Sequence, residues 1–295
     1  MLKNLCLLFL LLVGGVNASK AQLVKEFRVT ESKGFDLVAF EFTSYKSTTQ
    51  LKRVKSSDPL YIHGHLEKTN ILPVFSSEIS SNILRTSLIH KNVESENLGK
   101  SITSKLFAGA SEDFDHSWDL GLTTNFLYHL DFNLGVGKSD FDLANLTVSQ
   151  LKIRSASADV LVHYSSKAPN QIQMDTLLVT LNMGTVQVDE ANYTNAKKMI
   201  FEVNYGTINL DFSDGMSSES QVIASIGAGK LYIHLPPDSF PVRIKMRTTP
   251  MCRTNLPKYL KELEDNIYVT KGYKESDPRL LNLIIDVGVG SITVE

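Results

Sequence analysis

Apolar and polar residues alternate along the second half of the chain in a unit that recurs six times. Each unit has one alternating run, a small residue and a second alternating run, as in VTLNMGTVQVDE (179–190) and FEVNYGTINLDF (201–212). We call the small residue the corner. The six corners are Gly137, Ala158, Gly184, Gly206, Gly229 and Gly290. Their spacings, the differences between these numbers, are 21, 26, 22, 23 and 61 residues, so the last gap is expected to hold further, degenerate units.

An alternation with a period of two residues is typical of β-strands with one buried face. The apolar positions stand at odd offsets before the corner and at even offsets after it, so each strand must bend or bulge at the corner, where glycine tolerates the required backbone angles. One strand–bend–strand unit cannot bury its own apolar face, and copies are therefore expected to stack in register. We predict an all-β fold, a parallel β-solenoid (β-helix). An antiparallel sandwich of two sheets is the alternative.

Outside the six units the pattern is less regular. Residues 242–246 alternate as a strand, whereas LPKYLKELE (256–264) has helical spacing and predicts a short helical insertion near the C-terminus. Residues 22–117 contain strand-like runs and no Pro- or Gly-rich linker, so we interpret them as the first coils and the cap of the same body. The repeat body itself is assigned to residues 118–295.

The first 21 residues predict a secretory signal peptide. Lys3 supplies the positive end, Leu5 to Val13 the apolar stretch, and small residues offer cleavage after Ala18 or Ala21. The apolar stretch is shorter than the roughly 20 residues of a membrane-spanning helix, so no stable membrane insertion is expected after cleavage. We expect an exported protein that is periplasmic, surface-bound or secreted.

The charge of the chain and its cysteine content argue against a nucleic-acid partner and an intrachain disulfide. The full chain has 30 basic and 32 acidic residues; removing Lys3 and Lys20 with the signal peptide gives 28 − 32 = −4. Nucleic acid is an unsuitable partner for such a chain, because its binding rests on neutralised phosphates. Cys6 lies in the signal peptide, and Cys252 then remains without an intrachain disulfide partner.

The repeats resemble a known family. The repeated corners, the return segment Asn195-Ala196 before Met199 and the closing GVGSITVE (288–295) resemble the toast-rack proteins, which are related to the extracytoplasmic domain of LiaF-type regulators, and adhesin-like β-solenoids of bacteria. The resemblance is good from about Trp118 to Glu295. It implies a β-solenoid outside the cytoplasmic membrane, no catalysis and no catalytic residues. LiaF-type regulators carry several membrane-spanning helices, whereas this chain has only a signal peptide.

Short motifs in the chain do not assemble into a known catalytic site. Gly137-Lys138-Ser139 is like the end of a phosphate-binding loop, but that loop needs glycine where Phe132 stands and a helix where a strand follows. His63 and His65 share one face of a predicted strand with Glu67, so a three-ligand metal site is conceivable; surface histidines without a metal are the simpler interpretation. The acidic segment 112–120 lacks the glycine and glutamate of a calcium loop.

One further row of residues emerges from the repeat. The position five residues after each corner carries a carboxylate or an imidazole and is predicted to face outward: Asp142, His163, Asp189, Asp211, His234 and Glu295. Stacked carboxylates about 4.8 Å apart repel one another and would attract a cation or a basic partner. Ordinary solvated strand ends are the simpler interpretation.

We expect a non-enzymatic envelope or surface protein, adhesin-like or structural, whose partner is an envelope protein or a glycan. No catalytic residue, cofactor or metal is expected, and the oligomeric state stays open. The first alternative is a carbohydrate-active β-helix enzyme that uses the carboxylates from Asp142 to Asp211. The second is a sensory partner of membrane signalling proteins in envelope stress.

Overall fold

A computed structural model describes residues 23–67, 72–90 and 116–295. The predicted signal peptide, residues 1–21, lies outside the described residues. The described residues form strands almost throughout, and the prediction of an all-β fold is confirmed. The strands before the repeats are β1 (Leu23–Val29), β2 (Leu37–Ser44), β3 (Ser47–Arg53), β4 (Leu60–Leu66), β5 (Val74–Ser80), β6 (Ile83–His90) and β7 (His116–Leu122). Those that follow are β8 (Leu127–Asp142), β9 (Val148–His163), β10 (Met174–Val188), β11 (Ala196–Asp211), β12 (Ser220–His234), β13 (Val242–Thr248), β14 (Cys252–Asn255), β15 (Lys261–Glu264), β16 (Ile267–Val269) and β17 (Leu281–Val294).

The six repeat units are β8, β9, β10, β11, β12 and β17, each 14 to 16 residues long. They pair side by side, all parallel, in the order given. The corners form one unbroken column, for example Gly184 opposite Gly206 and Gly206 opposite Gly229. The register predicted from the repeat is therefore observed, and the antiparallel sandwich is wrong for these strands.

The last strand does not lie where chain order would put it. β17 pairs with β12 on one side and with β13 and β14 on the other. β13 and β14 together are the degenerate unit expected in the 61-residue gap, with Cys252 opposite the corner Gly290. β17 therefore separates two units that are consecutive in the sequence.

Parallel stacking also extends into the N-terminal region. β2 and β3 together pair with β8, with Ser47 opposite Gly137, and β6 and β7 pair in turn with β2 and β3. Antiparallel strands complete both ends: β4, β1 and β5 at one end, β16 and β15 at the other. Hydrogen bonding is thus continuous from residues before 117 to the repeats. The division into 22–117 and 118–295 itself stays a prediction.

The core consists of the columns that the alternation predicts. The side chains seven residues before each corner are at most 1% exposed, and those four residues after it at most 2%. The first column is Leu130, Leu151, Leu177, Met199, Val222 and Leu283; the second is Phe141, Val162, Val188, Leu210, Ile233 and Val294. Complete burial of such a side chain contributes about 1.5–3 kcal/mol, so regular stacking of the columns is a main source of stability.

Glycine at the corner is required by the neighbouring strand as well as by the bend. Gly206 has φ 151°, and a Cβ atom there would lie 1.8 Å from the carbonyl oxygen of Gly184. Gly229 stands in the same relation to Gly206. The close approach of successive backbones explains why the column tolerates almost no side chain.

The predicted helix at residues 256–264 is wrong. Leu256 and Leu260 pack against the core as the helical spacing suggested, but Lys261–Glu264 is the strand β15, paired antiparallel with β16 through a turn at Asp265-Asn266. Asn266 has φ 62°, a left-handed conformation that asparagine tolerates in tight turns. A nine-residue helix has little stability of its own, whereas the hairpin pairs its backbone groups with the existing sheet edge. Within the described residues, helical structure is limited to the 3₁₀ turn Ala191–Thr194.

In residues 23–67, 72–90 and 116–295 no helix has the length and apolar character needed to cross a membrane.

Candidate functional site

The second half of each repeat strand presents a row of outward side chains. In β10 these are Thr185 and Gln187, followed by Asp189 directly after the strand; they stand one, three and five residues after the corner and alternate with buried valines. The equivalent positions of β8, β9, β11, β12 and β17 lie beside them in register. We call this surface, the positions one, three and five residues after the six corners, the ladder face. It consists mainly of hydroxyl, amide, carboxylate and imidazole groups.

Two open cavities lie on the ladder face. The smaller, about 210 Å³, lies over β10, β11, β12 and β17. Its polar lining comprises Asp189, Asn209, Asp211, Tyr232, His234, Thr293 and Glu295. The larger, about 560 Å³, lies over β3, β8, β9 and β10 and includes Gln50, Lys138, Asp140, Asp159, Thr185 and Gln187. Four of the six residues in the predicted row therefore line one cavity.

Asp142, at the first position of the predicted row, is held by local hydrogen bonds. Its carboxylate accepts hydrogen bonds from the Ser165 hydroxyl (2.5 Å), the Ser165 backbone N–H (3.2 Å) and the Ala144 backbone N–H (3.1 Å). Partial burial alone would raise the pKa of this carboxyl, but the hydrogen bonds, with His163 nearby, hold the pKa below its ordinary value. Asp142 thus has a structural role in the turn after β8.

Imidazoles separate several of the carboxylates in the row. His163 lies opposite Asp142 in the register, yet its Nε2 is 2.8 Å from Asp140 Oδ1. His234 lies opposite Asp211, with 3.8 Å between Nδ1 and Oδ1. The row is therefore a mixed one, as its composition indicates: imidazoles stand beside carboxylates, and Asp189 and Asp211 are the two carboxylates of the row on adjacent repeat strands.

Asp189 and Asp211 also have local partners. Asp189 accepts a hydrogen bond from Gln187 Nε2 (2.9 Å), and Asp211 accepts one from the Ser213 backbone N–H (2.9 Å). Across the parts of the chain that the structure describes, no group of three or more His, Cys, Asp or Glu residues is placed to hold a metal ion. The ladder face thus offers separate polar groups along its length, and whether any of the row binds a cation or partner stays a prediction.

The histidine pair lies elsewhere, on β4 at the N-terminal end of the stack. His63 Nε2 and His65 Nε2 are 3.0 Å apart, so the structure brings these two predicted residues together. Glu26 on β1 contacts the first of these rings, with its Oε1 3.4 Å from His63 Nδ1. Within the described ranges the predicted third ligand, Glu67, forms no ion pair with either ring. The sequence contains no local signal for Glu26, because its position opposite His63 follows from antiparallel pairing of β1 with β4.

The segment Gly137-Lys138-Ser139, which is similar to the end of a phosphate-binding loop, contains one of the corner glycines. A Cβ atom on Gly137 would lie 1.8 Å from the Ser47 carbonyl oxygen, Ser139 is buried, and Lys138 points outward on the ladder face. Strand β8 continues through the segment to Asp142.

The acidic segment 112–120 is described in part. Residues 112–115 lie outside the described ranges, and Trp118 is buried, with its Nε1–H donated to Ser44 Oγ.

Cys252 is a free, partly buried thiol. Desolvation raises its pKa, which keeps the thiol protonated and poorly nucleophilic at neutral pH.

Comparison with known proteins gives a family match and a fold match. Residues 54–178 match the model of the N-terminal domain of toast_rack (DUF2154). A crystal structure of a "putative cell adhesion protein" from Clostridium sporogenes is 13% identical, covers 93% of this chain and 99% of its own, and has a TM-score of 0.50. A "putative adhesin" from Bacteroides fragilis is 13% identical, with 95% and 100% covered and a TM-score of 0.36. No curated protein matches the chain.

At this level of identity the Clostridium structure shows a shared fold and nothing about function. The family match begins at residue 54, well before Trp118, and therefore includes β6 and β7, which pair with β2 and β3 in the region where the sequence motifs are weakest. The resemblance to toast-rack proteins is therefore confirmed, with residues 54–178 matching the toast-rack N-terminal domain.

Proposed function

We propose that the protein is a non-enzymatic, exported binding protein of the cell envelope or surface, and that it holds a linear glycan along the ladder face. The body that carries this face is, in the proposal, the parallel β-solenoid predicted from the repeats. One observation carries the proposal: two open cavities lie on the same outward face and are lined by carboxylates, amides and hydroxyls. A polymer of sugars offers repeated hydroxyl groups to such a surface.

The chemistry of the ladder face supports a neutral or basic polyhydroxylated ligand. Asn209 and Tyr232 are register partners in adjacent strands, and Tyr232 is 39% exposed beside the smaller cavity. Amide groups donate and accept hydrogen bonds, and an exposed aromatic ring gives a flat apolar surface beside them. Equivalent positions recur about every 4.8 Å along the stack, so several units of a polymer could be contacted in the same way.

The exported location rests on the predicted signal peptide and the family resemblance. It agrees with the description of the Clostridium protein as a "putative cell adhesion protein". Fractionation of cells that produce the full chain tests this part: the processed protein is expected outside the cytoplasm, with an N-terminus at residue 19 or 22. An unprocessed chain in the cytoplasm would refute it.

Binding of purified protein to an array of bacterial and host polysaccharides tests the glycan proposal. Tyr232→Ala is expected to weaken binding at least tenfold, because a central aromatic contact commonly contributes about 2 kcal/mol or more. Tyr205→Ala is the matched control, since Tyr205 is 59% exposed in the neighbouring strand but precedes the corner, outside the ladder face. No binding to any glycan, or equal losses in both variants, would overturn the proposal.

A carbohydrate-active enzyme is the second candidate, favoured by one observation. Asp189, Asp211 and Glu295 all line the smaller cavity, and glycoside hydrolysis uses a pair of carboxyl groups. Release of reducing ends from neutral, basic or acidic polysaccharides by the wild-type protein, abolished in Asp189→Asn and Asp211→Asn, would favour the enzyme. Binding without any release of reducing ends would favour the non-enzymatic function.

A further inference from the structure

The pair His63 and His65 on β4 has a geometry that the proposed glycan site does not use. Inward residues of this strand, Leu60, Ile62 and Leu66, are 0% exposed, which fixes the strand on the core. The two histidines alternate with them and point outward from the same face, with ring centroids 4.5 Å apart. A rigid strand thus holds two imidazoles side by side at the surface.

The distance between the two imidazoles suits two ligands of one metal ion. Zinc–nitrogen bonds are about 2.0–2.1 Å, so two nitrogen ligands at the tetrahedral angle stand about 3.4 Å apart. The observed Nε2–Nε2 distance is 3.0 Å. A small rotation of either side chain therefore opens enough space for an ion, without a change in the backbone of β4.

Glu26 and Tyr61 orient the first of these imidazoles. His63 Nδ1 is 3.4 Å from Glu26 Oε1 and 3.4 Å from the Tyr61 hydroxyl, and that hydroxyl donates to Glu26 Oε1 at 3.2 Å. When His63 Nδ1–H faces a carboxylate, the lone pair lies on Nε2. Carboxylates placed in this way against a ligating histidine fix its tautomer and strengthen its binding to a metal.

We propose that His63 and His65 chelate a divalent ion of the late first transition series, such as Zn²⁺, Ni²⁺ or Cu²⁺, through their Nε2 atoms. Imidazole ligands suit these ions and are poor ligands for Ca²⁺ and Mg²⁺. The protein supplies two ligands and water completes the coordination sphere, in agreement with the lack of any three-residue metal group in the described ranges. Glu26 is a positioning residue for His63.

A carboxylate on the next strand adds to the negative surroundings of the ion. Asp119 on β7 stands directly opposite His63 and faces outward with it. Cβ atoms of such pairs are about 4.5–5.5 Å apart. Asp119 therefore lowers the energy of a bound cation by its charge, and it is not required as a ligand.

Titration of the untagged mature protein with ZnCl₂, NiCl₂ and CuCl₂ after treatment with a chelator tests the proposal. One ion per chain is expected, bound most tightly for Cu²⁺, with nitrogen hyperfine coupling from two imidazoles in the electron paramagnetic resonance spectrum. His63→Ala and His65→Ala are each expected to weaken binding at least tenfold and to leave coupling from a single imidazole. Glu26→Gln is expected to weaken binding about tenfold while both nitrogens remain coordinated.

His234→Ala is the matched control, because His234 is also an outward strand histidine beside a carboxylate, 3.8 Å from Asp211. It is expected to bind as the wild type does. If either alanine variant fails to fold, His65→Gln keeps a polar side chain of similar size and serves instead. Absence of Cu²⁺ and Zn²⁺ binding to the wild type, or equal affinity in the wild type and both histidine variants, would overturn the proposal. Neither result bears on glycan binding at the ladder face.

Discussion

Replacing Gly206 by alanine tests why the corner column consists of glycine. Two effects combine at this position. The φ of 151° lies in a region that L-residues rarely adopt, and a Cβ atom would stand 1.8 Å from the Gly184 carbonyl oxygen. The conformational strain costs about 1–3 kcal/mol. The overlap also forces β10 and β11 apart, and losing two ladder hydrogen bonds would cost about 1–3 kcal/mol more.

The expected destabilisation of Gly206→Ala is therefore about 2–6 kcal/mol. For domains of this size 1 kcal/mol lowers the melting temperature by roughly 2–4 °C, so a decrease of at least about 4 °C is expected. Circular dichroism during thermal unfolding, together with urea unfolding at constant temperature, measures both quantities on the purified mature protein.

Two controls separate the causes. Gly34 has φ 90°, but a Cβ atom added there would meet no atom of the described residues within 4 Å, so Gly34→Ala reports conformational strain alone. Ala158 occupies a corner without a positive φ, and Ala158→Gly is expected to cost at most about 1 kcal/mol. If Gly206→Ala destabilises the protein no more than Gly34→Ala does, the contact between successive corners is not the reason for glycine.

Three further predictions concern the core, a turn and the free thiol. Phe201 is fully buried, so Phe201→Ala is expected to lower the free energy of unfolding by about 3–5 kcal/mol in urea; a loss below about 1 kcal/mol would contradict the packing described. The pKa of Asp142 is lower in the folded state than in the unfolded chain, so its contribution is present above the unfolded pKa and is lost as the pH falls through the folded value. Asp142→Asn is expected to cost about 1 kcal/mol at pH 7 and progressively less in acid, and a difference independent of pH would refute this. The raised pKa of Cys252 predicts slow alkylation by iodoacetamide at pH 7 and faster reaction in urea; equal rates would show that the thiol is not shielded.

Much of the repeat can be predicted from the sequence because each unit carries the same local information. The alternation and the corners determine which side chains are buried and which residues lie opposite one another, so the row from Asp142 to Glu295 follows from the sequence alone. Side-chain partners within that row are not predictable, because His163 turns to Asp140 instead of its register partner. That choice depends on distances that a one-dimensional pattern does not contain.

The differences between prediction and structure have equally specific causes. The spacing of Leu256 and Leu260 predicts a helix at residues 256–264. In the structure, the turn at Asp265-Asn266 instead joins β15 and β16 as an antiparallel hairpin. Glu26 is not predictable as a partner of His63, since antiparallel pairing of β1 and β4 connects residues far apart in sequence. Units such as β2–β3, with Ser47 at the corner, lack the glycine that makes the other copies recognisable.

The position of β17 has a consequence for the order in which the fold can be completed. Because β17 lies between β12 and β13–β14, the interior of the stack is closed by a strand that is synthesised after all the others described. Until then β12 and β13 each keep an open edge, and the N-terminal units can form while the C-terminal ones wait. Loss of residues 281–294 would therefore remove a strand from the interior of the sheet, and β13 to β16 would lose their hydrogen-bonded connection to β12. If the strands were instead stacked in the order of the sequence, loss of the last strand would only shorten the sheet. The two parts of the sheet, β12 with the units before it and β13 to β16, can therefore be joined only after β17 has been synthesised.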